Sequence, residues 1–271
     1  MEGNILKMRT TLAQTVEYVL PIGEGQIAMN ERIGQTIKLH YQGEIHCVAC
    51  GRKTNKSFSQ GHCYPCFKRL ASCDMCIMKP ETCHYDAGTC REPQWGEDNC
   101  FQPHYVYLAN SSGVKVGITR GTQIPTRWMD QGAGQALPIF KVATRLQSGL
   151  LEVALKEHIS DRTDWRKMLK QNAKPVDLKM IRDELIEKCD TKIANIKQQH
   201  GSDAIEQLAE EVVEINYPIT QYPEKIKSLN FDKQSDIEGE LQGIKGQYLI
   251  LDTGVLNIRK FSGYNIRVDF D

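Results

Sequence analysis

The stretch Cys47-Val-Ala-Cys50-Gly-Arg-Lys-Thr-Asn-Lys-Ser-Phe-Ser-Gln-Gly-His-Cys63-Tyr-Pro-Cys66 holds two C-x2-C pairs twelve residues apart. Each tight pair turns two sulfurs toward one point, and four thiolates complete a tetrahedron around zinc. Gly51 after the first pair and Pro65 inside the second suit the sharp knuckles that carry such ligands. The expectation is a zinc-ribbon-like Zn2+ site on Cys47, Cys50, Cys63 and Cys66, with a dithiol redox pair as the competing reading.

Working outward, nine of the ten cysteines lie between Cys47 and Cys100, and Cys189 stands apart on an apolar helical stripe as a small core hydrophobe. A disulfide framework needs an oxidising compartment. The amino end, Met1 to Lys7, lacks the charged start and apolar run of an export signal, so a cytoplasmic protein is expected. Beyond the first pairs, Cys73-Asp-Met-Cys76 supplies another. Cys83, His84, Cys90, Cys100 and His104 are all available to complete a second tetrahedron. The sequence does not choose among them: a second zinc, an iron-sulfur centre and free or redox thiols all stay open.

The chain has 271 residues, with 34 Lys+Arg balancing 34 Asp+Glu and 40% hydrophobic residues, enough for a sizeable core. No apolar run approaches the roughly 20 residues that a membrane span needs. Beneath the neutral total the charge is uneven. From Lys38 to Arg69, six basic residues face one acid, Glu44, a formal +5; four thiolates on Zn2+ add -2, which leaves +3. Arg52, Lys53, Lys56, Lys68 and Arg69, interleaved with Phe58, Tyr64 and Phe67, have the composition of a nucleic-acid-binding surface. The competing reading is a solvated knuckle with its rings packed under the metal. Lys170 to Glu240, with ten basic and fifteen acidic residues, is net -5 and a poor nucleic-acid surface.

Both ends read as strands: Val16 to Leu20 and the alternation Ile37/Leu39/Tyr41 near the start, Gln247 to Leu251 and Ile266 to Phe270 near the close. Met29-Asn30, Gly34 and Ile37/Leu39 are echoed by Leu256-Asn257, Gly263 and Ile266/Val268. The two ends are therefore expected to pair into one small β-barrel or sheet. Leu178, Ile181, Leu185, Cys189, Ile193 and Ile196 recur at helical spacing. Ile205, Leu208, Val212 and Ile215 predict a second helix, with Asp203 and Glu206 at its start and Pro218 at its stop.

Between Pro103 and Leu169, the β-like runs His104 to Ala109 and Val114 to Ile118 flank the turn Asn110-Ser-Ser-Gly113. Pro125 opens a short helix bearing Arg127, and a later helical stripe bears Glu152 and His158. This order resembles the GIY-YIG nuclease superfamily over about 60 residues. Val106-Tyr107-Leu108 is similar to the first signature and Lys115-Val116-Gly117 to the second, with Lys115 where the family's tyrosine is expected. The resemblance implies that Tyr107 helps activate water, Arg127 polarises the scissile phosphate and Glu152 holds a divalent metal, Mg2+.

The same roles follow from the chemistry. Phosphodiester cleavage needs a cation on the phosphate, a hard-oxygen anchor for Mg2+ and a base for water. Arg127 offers the fork, Glu152 the oxygen, and Tyr107 or His158 the proton acceptor. A structural ion pair, a sheet-face ring and an ordinary helix histidine are the corresponding plain readings. Nearly the whole chain also resembles an uncharacterised bacterial family of unknown function, number 2797. That resemblance is carried by Pro80-Glu81, Arg91 to Trp95, Val106 to Arg120, Ile124 to Trp128, Asp130 to Ala133, Asp164 to Leu169 and Lys245 to Leu249.

An α+β chain is expected: a β-rich segment 1–45, a Cys-rich zinc-binding module 46–102, a GIY-YIG-like domain 103–170, a helical arm 171–240 and a β-rich segment 241–271. Three functions compete. They are a metal-dependent nuclease or phosphodiesterase, a DNA- or RNA-binding module that does not cut, and a thiol-based metal or redox sensor.

Overall fold

The computed structural model describes residues 1–271, the side chain of Ser202 aside. It is a mixed α and β chain with three sheets. The first has seven strands, and its path runs Glu2–Asn4, Tyr264–Phe270, Thr36–His46, Asp236–Lys245, Tyr248–Leu251, Gly254–Asn257; Lys53–Thr54 also pairs with Thr36–His46. The alternation around Lys38 sets the register. Ile37 and Leu39 are buried, opposite Phe270 and Val268 on one side and Gly239 and Ile237 on the other. On the other face Lys38 pairs with Glu238 at 3.9 Å and also with Asp271.

Of the two expected forms, barrel or sheet, the paired ends take the open sheet, and among the described residues no closed barrel forms. Outside Gly254–Asn257 runs the loop around Ser228, where Val255 N donates to Lys227 O at 2.8 Å and Leu229 N to Val255 O at 2.9 Å. At the opposite edge Leu6 N donates to Pro21 O at 3.2 Å, handing the sheet over to a three-stranded meander, Arg9–Thr11, Glu17–Ile22 and Gly25–Ala28. Each edge is thus satisfied by other chain, and closure has no unpaired backbone to drive it.

The sequence echo has a structural counterpart. A hairpin (Glu17–Ile22, Gly25–Ala28), a 3-10 turn (Asn30–Arg32), Gly34 at φ 87° and the strand Thr36–His46 follow one another near the start. A hairpin (Tyr248–Leu251, Gly254–Asn257), a 3-10 turn (Ile258–Phe261), Gly263 at φ 87° and the strand Tyr264–Phe270 repeat that succession. The left-handed backbone at both glycines explains why the residue type recurs there.

The remaining sheet runs Ile205–Gln207, Gln135–Val142, His104–Asn110, Val114–Arg120, with Val213–Glu214 also on Gln135–Val142. Its two faces serve two cores. Tyr107, Ala109 and Ala136 join the terminal strands, while Val106, Leu108, Leu137 and Ile139 pack against the helices Arg145–Leu155 and Leu178–His200. Burial on both faces turns these strands into near-continuous apolar runs.

The helix expected over residues 205–215 is corrected to two short strands. Ile205 pairs with Val142 and Val213 with Ala136, filling the open edge of Gln135–Val142. β-branched residues beside an unpaired edge gain more from the ladder than from an isolated helix. The first helix of the arm runs from Leu178 to His200, and among the described residues no helix is long and apolar enough to cross a membrane.

Candidate functional site

The Thr36–His46 strand runs straight into the first knuckle, where Gly51 N donates to Cys47 O at 2.8 Å and φ is +71° at Gly51. The second knuckle opens the short helix Tyr64–Arg69. The sulfurs of Cys47, Cys50, Cys63 and Cys66 all lie within 4.8 Å of one another, with Cys50 and Cys63 at 3.8 Å. A zinc tetrahedron with Zn–S near 2.3 Å places its sulfurs about 3.8 Å apart, so this set fits a metal ion. Around it the apolar packing is slight: Cys47, Cys63 and Cys66 cluster with Leu70 alone. Backbone donors at Cys63, Ala49 and Cys50 draw the Cys47 thiol down to about 6, which favours the thiolate a metal needs, although burial opposes it more than any single donor.

The other cysteines divide. Cys76, Cys83, Cys90 and Cys100 line one small hollow, whereas Cys73 is buried outside that lining. The expected Cys73/Cys76 pair is therefore split between two elements, Cys73 ending the 3-10 turn Ala71–Cys73 and Cys76 lying in the helix Met75–Met78. Asp74, Cys76 and His84 also approach within 4.8 Å of one another, but Asp74 is held by Arg91 at 2.9 Å and faces His84 at 3.3 Å. His104 is excluded as a ligand. It is fully buried in its strand, Nδ1 donates to Gln102 O at 2.7 Å, and burial lowers its pKa to about 4.

A cleft of about 720 Å³ opens beside the cysteine knuckles, and Tyr107, Lys115, Arg127 and Glu152 all line it. Tyr107 comes from His104–Asn110, Lys115 from Val114–Arg120, Arg127 from the helix Thr126–Asp130 and Glu152 from the helix Arg145–Leu155. The latter helix is started by a full capping box between Thr144 and Gln147. Tyr107 lies across the sheet over Gly117, where a Cβ would meet its hydroxyl at 2.7 Å, so the second signature's glycine is needed for space. Tyr107 Oη and Lys115 Nζ both donate to Gln131 Oε1, at 3.1 Å and 2.7 Å.

Burial sets the electrostatics. It raises the Tyr107 phenol, an effect that the neighbouring Arg127 guanidinium partly reverses. It pushes the Lys115 ammonium down to about 8, with Arg127 acting in the same direction and Glu152 and Asp161 against it. Glu152 is raised by burial first, with Lys156 pulling it back and Asp161 adding to the rise.

His158 is not brought in: it is exposed in the turn beyond the end of the Arg145–Leu155 helix and does not line the cleft. Arg52, Lys53, Lys68 and Arg69 are exposed outside it as well, with Lys53 held by Glu44 at 2.5 Å. Phe58 and Phe67 stack at 5.6 Å beneath that basic face, while Tyr64 is exposed. Lys56 lines an adjoining hollow with Lys260, and Arg259 and Gln60 border both this hollow and the cleft.

Sequence reasoning passed over several lining residues: Gln131, Arg120, Arg145, Asp161 and Arg259. Gln131 lay in plain view within the Asp130-Gln-Gly-Ala133 block, but a glutamine carries no signature of its own. Arg259 arrives from the far carboxyl-terminal segment, where no local pattern points to it.

A family model described as "Protein of unknown function (DUF2797)" matches residues 34–266. No curated protein and no solved structure matches the chain.

Proposed function

The chain belongs to the family of proteins of unknown function DUF2797, a membership that brings no activity with it, and we propose that it is a zinc-stabilised, nucleic-acid-interacting protein whose cleft receives a phosphodiester. One observation carries this reading. Tyr107, Lys115, Arg127 and Glu152, far apart in sequence, line one hollow in which six basic side chains (Lys7, Lys115, Arg120, Arg127, Arg145, Arg259) face two carboxylates (Glu152, Asp161), Lys7 being held by Asp130 at 2.7 Å. An excess of cations in a partly desolvated cleft attracts an anion, and Arg127 presents a fork that matches phosphate oxygens.

The path outward supports a polymer rather than a small anion. Arg259 and Gln60 lead from the cleft to the hollow holding Lys56 and Lys260, so successive phosphates meet successive cations. The hairpin, the helix with Arg127 and the helix with Glu152 keep the order that the resemblance to the GIY-YIG superfamily implies.

A second reading, metal-dependent cleavage, draws on Glu152 and Asp161, which line the same cleft and offer hard oxygens for Mg2+. Against it stands Tyr107: a buried phenol with a raised pKa is a poor proton acceptor near neutrality, which favours holding over cutting.

The test is a panel of single- and double-stranded DNA and RNA. Binding that weakens with rising salt, and by about tenfold or more in Arg127→Ala, supports the cleft. Absent or salt-insensitive binding overturns it. Products that appear only with Mg2+, and vanish in Glu152→Ala while binding persists, establish cleavage as well.

A further inference from the structure

Four of the six cysteines outside the first knuckles converge although they are spread along 25 residues of chain, from Cys76 to Cys100. Cys76 comes from the helix Met75–Met78, Cys83 and Cys90 from the loops between, and Cys100 from the end of the helix Pro93–Cys100. Trp95 and Phe101 line the hollow beside the four half-buried cysteines. Gly96 is the buried residue of that last helix. A Cβ there would stand 3.4 Å from Cys90 Sγ and 3.3 Å from the Tyr85 ring, so the missing side chain lets the helix backbone close over the thiols.

A second observation, from the opposite side, points to negative charge in this hollow. Arg145 sends Nη2 to Ile77 O at 2.6 Å, and its Nε is sealed from solvent without an acceptor. Among the described residues no carboxylate forms an ion pair with it, and the groups whose ionised form would favour its charge include the Cys100 and Cys76 thiols. Neutral thiols would leave a half-buried guanidinium with no counter-charge, which is costly. Four thiolates on a divalent ion, or on a doubly charged iron-sulfur core, carry a net charge of about -2 and would supply it.

We propose that Cys76, Cys83, Cys90 and Cys100 form a second metal centre of the four-thiolate class, with the Arg145 guanidinium as its counter-charge and Cys73 left out as a free thiol. The donor set takes soft metal chemistry, either one zinc ion or an iron-sulfur cluster. These four sulfurs do not form the tight group, within 4.8 Å of one another, that the first set forms, and a cluster places its thiolates farther apart than a single zinc ion does. The assignment shares Arg145 with the cleft, but metal and sulfide content reads it separately from nucleic-acid binding.

The test is metal and sulfide analysis of the full chain, purified without oxygen, with single cysteine-to-serine variants alongside. Wild type is expected to carry the first zinc plus either a second zinc or iron with matching inorganic sulfide; either outcome supports the centre and names its occupant. Cys83→Ser or Cys90→Ser should reduce this second component to background while the first zinc stays, and Cys73→Ser should leave both intact. Should those variants fail to fold, thiol titration of native wild type decides: eight of the nine clustered thiols should resist modification and one, Cys73, should react on local opening. A single zinc per chain without iron, or equal metal loss in Cys73→Ser and Cys83→Ser, overturns the proposal.

Discussion

Tyr107 Oη and Lys115 Nζ, on neighbouring strands, share one acceptor, the Oε1 of Gln131, at 3.1 Å and 2.7 Å. One carbonyl oxygen thus fixes both polar tips at the floor of the cleft. Gln131→Leu would leave a buried phenol and a buried ammonium without it. The expected loss is about 1–3 kcal/mol in chemical denaturation; an unchanged midpoint would show that water replaces the amide.

The Lys115 ammonium is held at about 8, against an ordinary value near 10.4 for an unfolded chain. Between those two pH values the unfolded state binds more protons, so stability gains as pH rises through the window. Anion binding moves the other way, because the folded protein loses a cation from the cleft above about pH 8. Affinity for a short oligonucleotide should fall by up to tenfold per pH unit there, and Lys115→Arg should flatten the profile. A flat wild-type profile would remove Lys115 from the contact.

His104 is buried neutral, with a folded pKa of about 4 set chiefly by burial and opposed by the Gln102 carbonyl. A depressed histidine pKa means that the unfolded state takes up the proton first as pH falls from about 6.5 to 4. Stability is therefore lost across that window, by up to about 3 kcal/mol. His104→Phe should lessen the acid sensitivity measured by urea titration at pH 7 and pH 4.5; an identical difference between the two pH values would assign it to other groups.

Around the cysteine knuckles the buried apolar cluster is small, three cysteines with Leu70 packed against them. A strong chelator, or Cys50→Ser, should raise hydrogen exchange across residues 47–70, the short strand Lys53–Thr54 included, while Thr36–His46 keeps its protection from Tyr264–Phe270 and Asp236–Lys245. Unchanged exchange in the knuckles would mean that packing, and not metal, holds them.

What could be read in the sequence follows the range of the forces involved. The ligand set Cys47, Cys50, Cys63 and Cys66 was legible because two tight turns fix sulfur positions locally. The alternation Ile37/Leu39 and the echo at Ile266/Val268 were legible because a sheet face imprints period two on the chain. Residues 205–215 misled because their apolar spacing suits a helix equally well, and the edge of Gln135–Val142 that recruits them as strands is built more than 60 residues earlier.

The sequence by itself determined the first thiol site, the hairpin with its two following helices, and the strand character of both ends, since each depends on neighbours within a turn or a strand. Only the tertiary structure decided that Arg145, Asp161 and Arg259 join Tyr107, Lys115, Arg127 and Glu152 in one cleft, that Cys73 and His158 stand aside, and that the terminal sheet stays open. Convergence of that kind depends on how separate elements bury their faces against one another, and the spacing of residues along the chain carries no record of it.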